Sequence, residues 1–423
     1  MQVQENLKVK EKIYIEKLEN GLTIMIIPKK GIQKKFVVWG TNYGSNDSEF
    51  IAPGEKSKTE VPKGVAHFLE HKMFEQENGT NSLDTLTALG VNANAYTTND
   101  HTAYLYECTD NFYEALDELM DYVQHPYFTD ENVEKEKGII GQEIKMYDDY
   151  PEWKVYLNTL EAMYYNHPIK LDITGTVETI SHINKDILYK CYNTFYNPSN
   201  MAMVVCGDFE PDEILLEIRK RLIEKESQGE IKRIYPEEPE KIVKEKVEQN
   251  MEVSQPIYTI GIKDVKPKEE TKVKKHIAIE ILLNIIFGKS SKLYKELYDN
   301  GIIYGGASLD YEFSRGYAHI LITGQSKEPE KVYEKFKEEI KLLKKNGISE
   351  EDFERNKKMI YGEYIKEYND VSDIARMFIS DYFKGINSFD YLEEIQSINT
   401  GYLNDLLIDV FKEEKMVISI VKN

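Results

Sequence analysis

Residues 64–75 read GVAHFLEHKMFE, and within them His67, Glu70 and His71 form an H-x-x-E-H pattern. On a helix, positions i and i+4 share one face with Cβ atoms about 6 Å apart, so the two imidazoles can address a single metal ion with Glu70 beside them. The other residues of the stretch, Val65, Ala66, Phe68, Leu69, Met73 and Phe74, are largely apolar. Leaving three ionisable groups buried and unpaired on such a helix would be costly. A divalent cation gives them a common partner, whereas a surface helix with an incidental His–Glu pair fits the apolar setting poorly.

Zinc at a catalytic site generally takes three protein ligands and leaves a fourth position open, so a third donor must come from elsewhere in the chain. Residues 131–149, ENVEKEKGIIGQEIKMYDD, place Glu136 and Glu143 seven residues apart, on one face of a helix whose apolar partners include Ile139, Ile140 and Met146. One carboxylate could ligate the metal while the other hydrogen-bonds a ligand imidazole. The residues alone leave Glu136, Glu143 and Glu134 as alternatives for the ligand.

Outward from this pair of helices the chain alternates strands and helices. The segment 18–28 reads as a hairpin turning at Asn20-Gly21, 35–43 as a strand with buried faces, and 94–106 (NAYTTNDHTAYLY) as a Thr- and Tyr-rich strand. Helical patterns cover 81–89, 111–123 and 185–196, and an apolar strand runs from Met201 to Cys206. Residues 224–248 carry two prolines, a glycine and dense mixed charge, the composition of a linker. Beyond it the same order resumes. Ile183-Asn184, Leu188 and the strand from Met201 recur as Ile398-Asn399, Leu403 and the strand from Met416, each 215 residues later. The expected fold is therefore α+β, with two homologous domains, each a mainly antiparallel sheet with helices packed on it. The expected boundaries are 1–223, a charged linker at 224–248, and 249–423. The second half has no H-x-x-E-H of its own, since HIAIEILLNIIF at 276–287 is apolar where the first half has its histidines.

Composition excludes several function classes. The chain has 423 residues, 41% of them hydrophobic, which is enough for packed cores, and it carries 54 Lys and Arg against 74 Asp and Glu for a net charge of -20. Such a surface repels phosphate backbones on average, so neither nucleic acid nor an anionic membrane is expected as a partner. Cys108, Cys191 and Cys206 are odd in number and widely spaced, and they read as reduced core thiols. No apolar run approaches the length of a membrane span and no signal-peptide pattern is present, so a cytoplasmic location is expected.

HFLEH, the distant Glu136 and Glu143 pair, and the strand NAYTTNDHTAY together resemble the pitrilysin, insulinase and mitochondrial processing peptidase superfamily of inverted-motif zinc peptidases. The likeness is greatest to its bacterial YmfH-type members and extends over essentially the full length. The resemblance implies one Zn2+ per chain held by His67, His71 and Glu143, with Glu136 supporting a ligand and Glu70 as the general base. It also implies that Asn94 and Ala95 lie on an edge strand beside the metal, where an extended peptide pairs by strand addition. The implied activity is hydrolysis of peptides or unfolded segments in a closed chamber. Larger members carry four such domains, so a homodimer, or a heterodimer with a related chain, is implied as well. Other members reach the substrate with an Arg and a Tyr from the second domain. In KELYDNGIIYGG, Tyr304 matches the Tyr, but Tyr298 stands where the Arg is expected. That departure leaves open a weakly active or noncatalytic scaffold subunit, and a maturation protease dedicated to one partner or leader peptide is a further alternative.

Overall fold

In the computed structural model, which describes residues 1–423, the chain divides into two compact units. The first comprises Met1–Ile144, Asp172–Ile234 and Lys366–Ser388, and the second Lys145–Leu171, Tyr235–Ile365 and Phe389–Asn423. This division differs from boundaries at 1–223, 224–248 and 249–423 by two exchanged segments. Residues 145–171 of the first half join the second unit, and residues 366–388 of the second half join the first. The segment expected as a linker is itself divided, 224–234 belonging to the first unit and 235–248 to the second, where Lys246–Asn250 forms a strand, because composition does not say which sheet a segment will join.

The main sheet of the first unit has seven strands: Gln2–Asn6 (β1), Glu11–Lys17 (β2), Thr23–Pro28 (β3), Lys35–Thr41 (β4), Asn92–Thr97 (β5), Thr102–Cys108 (β6) and Met201–Gly207 (β7). Their order is β1-β2-β3-β7-β4-β6-β5, antiparallel except for the parallel pair β3 and β7. The segment read as one strand at 94–106 is thus a hairpin, its turn at 98–101. The second unit's sheet has five strands: Lys246–Asn250 (β8), Ile257–Asp264 (β9), Ser308–Ser314 (β10), Tyr317–Gln325 (β11) and Met416–Lys422 (β12). Its order, β8-β12-β9-β11-β10, repeats β3-β7-β4-β6-β5 strand for strand, with the parallel pair again in the same place. The second sheet is the first without its opening hairpin.

The helices used below are Val65–Lys72 (α1), Asp130–Asp148 (α2), Pro151–Met163 (α3), Lys185–Phe195 (α4), Lys272–Phe287 (α5), Glu350–Glu367 (α6), Val371–Phe383 (α7) and Thr400–Val410 (α8). The Ile-Asn repeat has a local cause. Asn184 accepts from the Ile187 N–H at the start of α4, and Asn399 accepts from Tyr402 N–H at the start of α8. Each helix then leads through a 3-10 turn into an inner strand, β7 or β12.

The exchanged helices are equivalent too. α3 packs on β9 and β12 of the second sheet, and α7 packs on β4 and β7 of the first. A glycine admits each one. A Cβ on Gly40 of β4 would stand 2.8 Å from Phe383 Cε2, and one on Gly261 of β9 would stand 2.6 Å from Thr159 Cγ2 and 2.9 Å from Met163 Sδ. The opposite face of the first sheet carries the larger core, where Phe68, Leu69, Tyr104, Tyr106 and Tyr122 are fully buried. That core holds α1 against β5 and α4. Cys108, Cys191 and Cys206 are free and buried, as expected of core thiols. No helix is long and apolar enough to cross a membrane.

Candidate metal centre

α1 starts without a side-chain cap at Gly64, whose φ of 91° is left-handed, and a Cβ there would meet the Thr174 carbonyl oxygen at 2.5 Å. Glycine is required for the chain to enter the helix at this angle. The apolar residues Val65, Ala66, Phe68 and Leu69 then drive α1 into the core and carry His67 and Glu70 inside with them. Glu136 and Glu143 come from α2, whose buried side is formed by Val133, Glu136, Ile140 and Ile144. The expectation that Ile139 and Met146 pack on that side is corrected here, because both are exposed. They lie off the stripe that positions 133, 136, 140 and 144 trace at the helical repeat.

His67, His71 and Glu143 offer ligand atoms that all lie within 4.8 Å of one another. His67 Nε2 is 3.6 Å from Glu143 Oε1, and His71 Nε2 is 3.5 Å from Glu143 Oε2. Both separations exceed a hydrogen bond. Donors about 2.0–2.1 Å from a shared tetrahedral ion stand about 3.3–3.4 Å apart, so these two separations lie close to what such an ion needs. The other nitrogen of His71, Nδ1, lies 3.1 Å from Glu136 Oε1. With its proton on Nδ1 and bonded to that carboxylate, His71 turns the lone pair of Nε2 towards Glu143. His67 differs, since its Nδ1 is buried without a hydrogen-bond partner.

The electrostatics of the ion-free cluster agree with this. Burial, with His71 adding, holds the His67 imidazole neutral down to about pH 3. Burial pushes the Glu70 carboxyl up to about 7. It raises Glu143 as well. For His71, burial is outweighed by the bond to Glu136 and by the surrounding carboxylates, so its pKa is raised. The Glu70 and Glu143 carboxylates so gathered resist their own charges, and a bound cation would supply the countercharge that reverses this.

Glu70 stands apart from the three donors. Its Oε2 accepts from Thr97 Oγ1, at the end of β5. Strand alternation places Ala93 and Ala95 on the same face as Thr97, towards α1, and turns Asn94 and Tyr96 to the opposite face. β5 pairs only with β6 and is the sheet's edge. There Asn94 Oδ1 accepts from the Ala95 N–H. Tyr304 and Tyr298 both belong to the second unit and are exposed, with Tyr298 stacked on Tyr294 at 5.7 Å between ring centroids. His101 is bonded to Thr98 and Tyr96 and is not part of the donor set.

Two contributors escaped the sequence reading. Thr97 could have been found from period-two alternation, which places it two residues from Ala95 on one face. Lys72, fully buried on α1 and paired with Glu75, gave no signal beyond being a lysine in an apolar run.

Two stretches of the chain match family profiles. The one described as Insulinase (Peptidase family M16) covers residues 50–177, and the one described as Peptidase M16 inactive domain covers residues 182–360. A Bacillus subtilis (strain 168) protein named as an uncharacterized zinc protease, YmfH, is 38% identical over 97% of this chain and 96% of its own length. Among solved structures, an M16-like peptidase from Alicyclobacillus acidocaldarius has a TM-score of 0.93 at 34% identity, covering 97% of this chain and 98% of the other. Pitrilysin shares the fold with a TM-score of 0.78 at 16% identity, and this chain spans 46% of it. Identity of this extent to YmfH, on a matching two-unit fold, establishes that the chain belongs to the M16 (insulinase and pitrilysin) peptidase family.

Proposed function

We propose that the protein is a zinc-dependent endopeptidase, with His67, His71 and Glu143 as ligands and Glu70 as the group that moves protons. The carrying observation is the pair of 3.5 and 3.6 Å separations between two imidazole Nε2 atoms and the two oxygens of one carboxylate. A zinc ion held there would acidify a water molecule and polarise a peptide carbonyl. Thr97 fixes Glu70 through Oε2, and the carboxylate takes a proton from water at Oε1 and delivers it to the departing amine. Glu136 keeps His71 in the tautomer that leaves Nε2 free for the ion. The substrate is an extended peptide or unfolded segment, added as a strand at the β5 edge with Asn94 and Ala95 as its nearest neighbours. Displacing Asn94 Oδ1 would free the Ala95 N–H for the peptide. Tyr304 is the residue of the second unit proposed to touch substrate.

The functional particle is proposed to be a homodimer, or a heterodimer with a related chain, that encloses the substrate. This chain matches 46% of a pitrilysin chain about twice as long, which leaves room there for a second pair of domains and supports that reading. The exposed Tyr298, where an Arg is expected, favours one second reading, a weakly active or noncatalytic scaffold subunit. One experiment decides between them. The purified chain loaded with zinc should cleave an unstructured basic peptide, and Glu70→Gln should abolish cleavage while zinc stays bound. Absence of cleavage by the parent chain would favour the scaffold, and cleavage by the variant would remove Glu70 as the base.

A further inference from the structure

We propose that Lys72 is a positioning residue of the metal centre, a buried ammonium that acts on His71 through Glu136. The inference rests on the metal-centre reading above. Lysine is almost never fully buried unless it is paired, yet the Lys72 side chain has no exposed surface. Its Nζ is bonded to Glu75 and lies 3.9 Å from Glu136 Oε2. The other oxygen of Glu136 meets His71 Nδ1 at 3.1 Å. One carboxylate therefore spans the ammonium and the imidazole, and Lys72 follows His71 directly in α1.

This chain of contacts addresses an electrostatic difficulty of the site. Glu136 is itself buried and stands close to Glu143, so bringing a second carboxylate to the imidazole is unfavourable without a compensating charge. Lys72 supplies that charge from the side away from His71. It holds Oε2 in place so that Oε1 keeps its line to Nδ1. Partners that orient a metal ligand commonly contribute about 10–100-fold in metal affinity, and one contact further out is expected to contribute about tenfold.

The test is a zinc dissociation constant, measured by competition with a chromophoric chelator, for the full chain and its variants. Lys72→Met keeps the length and apolar stem but removes the charge, and is expected to weaken zinc about tenfold. Lys72→Arg should restore affinity to within about threefold of the parent. Glu75→Gln leaves the ammonium to Glu136 and should change affinity by less than about threefold. In a double-mutant cycle, Lys72→Met combined with Glu136→Gln should bind no more weakly than Glu136→Gln alone, because the first acts through the second. The proposal is overturned by parent-like affinity in Lys72→Met, by independent multiplication of the two losses, or by a loss in Glu75→Gln equal to that in Lys72→Met. The last result would mark Lys72 as a structural partner of Glu75 only. Should Lys72→Met fail to fold, Lys72→Gln takes its place against Lys72→Arg. Zinc bound without any hydrolysis would sink the peptidase reading and leave this one intact, whereas a parent chain that binds no zinc would overturn both.

Discussion

Replacing Glu70 by glutamine should stabilise the metal-free protein at alkaline pH, even as it removes the proposed base. Burial raises this carboxyl from 4.5 to about 7. The folded protein therefore holds the Glu70 proton more tightly than the unfolded chain does. Its contribution to stability is fully present below about pH 4.5 and is lost as pH rises through 7. A difference of about 2.5 units, at 1.36 kcal/mol each, makes the loss about 3 kcal/mol at pH 8. Glutamine is neutral throughout, can still accept from Thr97, and suffers no such loss. The assay is urea denaturation of chelator-treated parent and variant at pH 4 and pH 8, followed through the transition of the first unit, which contains the buried Trp39. The expected stability gain of Glu70→Gln is near zero at pH 4 and about 3 kcal/mol at pH 8. Saturating zinc should shrink the gain, because a nearby cation stabilises the parent's carboxylate. A gain that is the same at both pH values, or a loss at pH 8, would refute the burial argument.

Other residues make separate predictions. Thr97→Val removes the hydrogen bond that favours the charged form of Glu70, so the acid limb of the kcat/KM profile should move up by roughly one pH unit; an unmoved limb would detach Thr97 from the base. Ala95→Pro deletes a backbone donor at the free edge of β5, and KM for an extended peptide should rise about tenfold with kcat little changed; an unchanged KM would remove this edge as the docking strand. Gly261→Ala forces a methyl group against Thr159, Val417 and Met163 and should destabilise the second unit by about 1–3 kcal/mol, seen as a lower denaturation midpoint, while zinc affinity stays at the parent value.

What the sequence disclosed and withheld follows the physics of each feature. The motif at 67–71 was legible because two imidazoles one helical turn apart need no tertiary information to share a face. The duplication could be read from Asn184 and Asn399, since a helix cap is local chemistry. The choice of Glu143 over Glu136 could not be read from spacing, because residues seven apart share a face equally. Family resemblance supplied that choice, and the structure distinguishes the two by their distances to Nε2 and Nδ1. The exchange of α3 and α7 was not visible either. Their docking depends on Gly40 and Gly261 opening space in strands far away in the chain, and a glycine in a strand does not say which helix will fill the gap. The second unit shows the reverse case. Glu280 remains on α5, half-buried, its carboxyl pushed up to about 7 by desolvation, and it accepts a hydrogen bond from Tyr364 on α6. Isoleucines at 277 and 281 flank it. One imidazole, His276, has its Nε2 3.7 Å from Glu280 Oε1, and no three-donor set like that of the first unit gathers there.

Elemental analysis of the purified chain beside its Glu143→Ala variant, after identical dialysis against zinc and then buffer, tests the convergence of α1 and α2 on one cation most directly. The geometry predicts one zinc per parent chain and a loss of most of it in the variant. Equal zinc in the two proteins, or none in the parent, would contradict it.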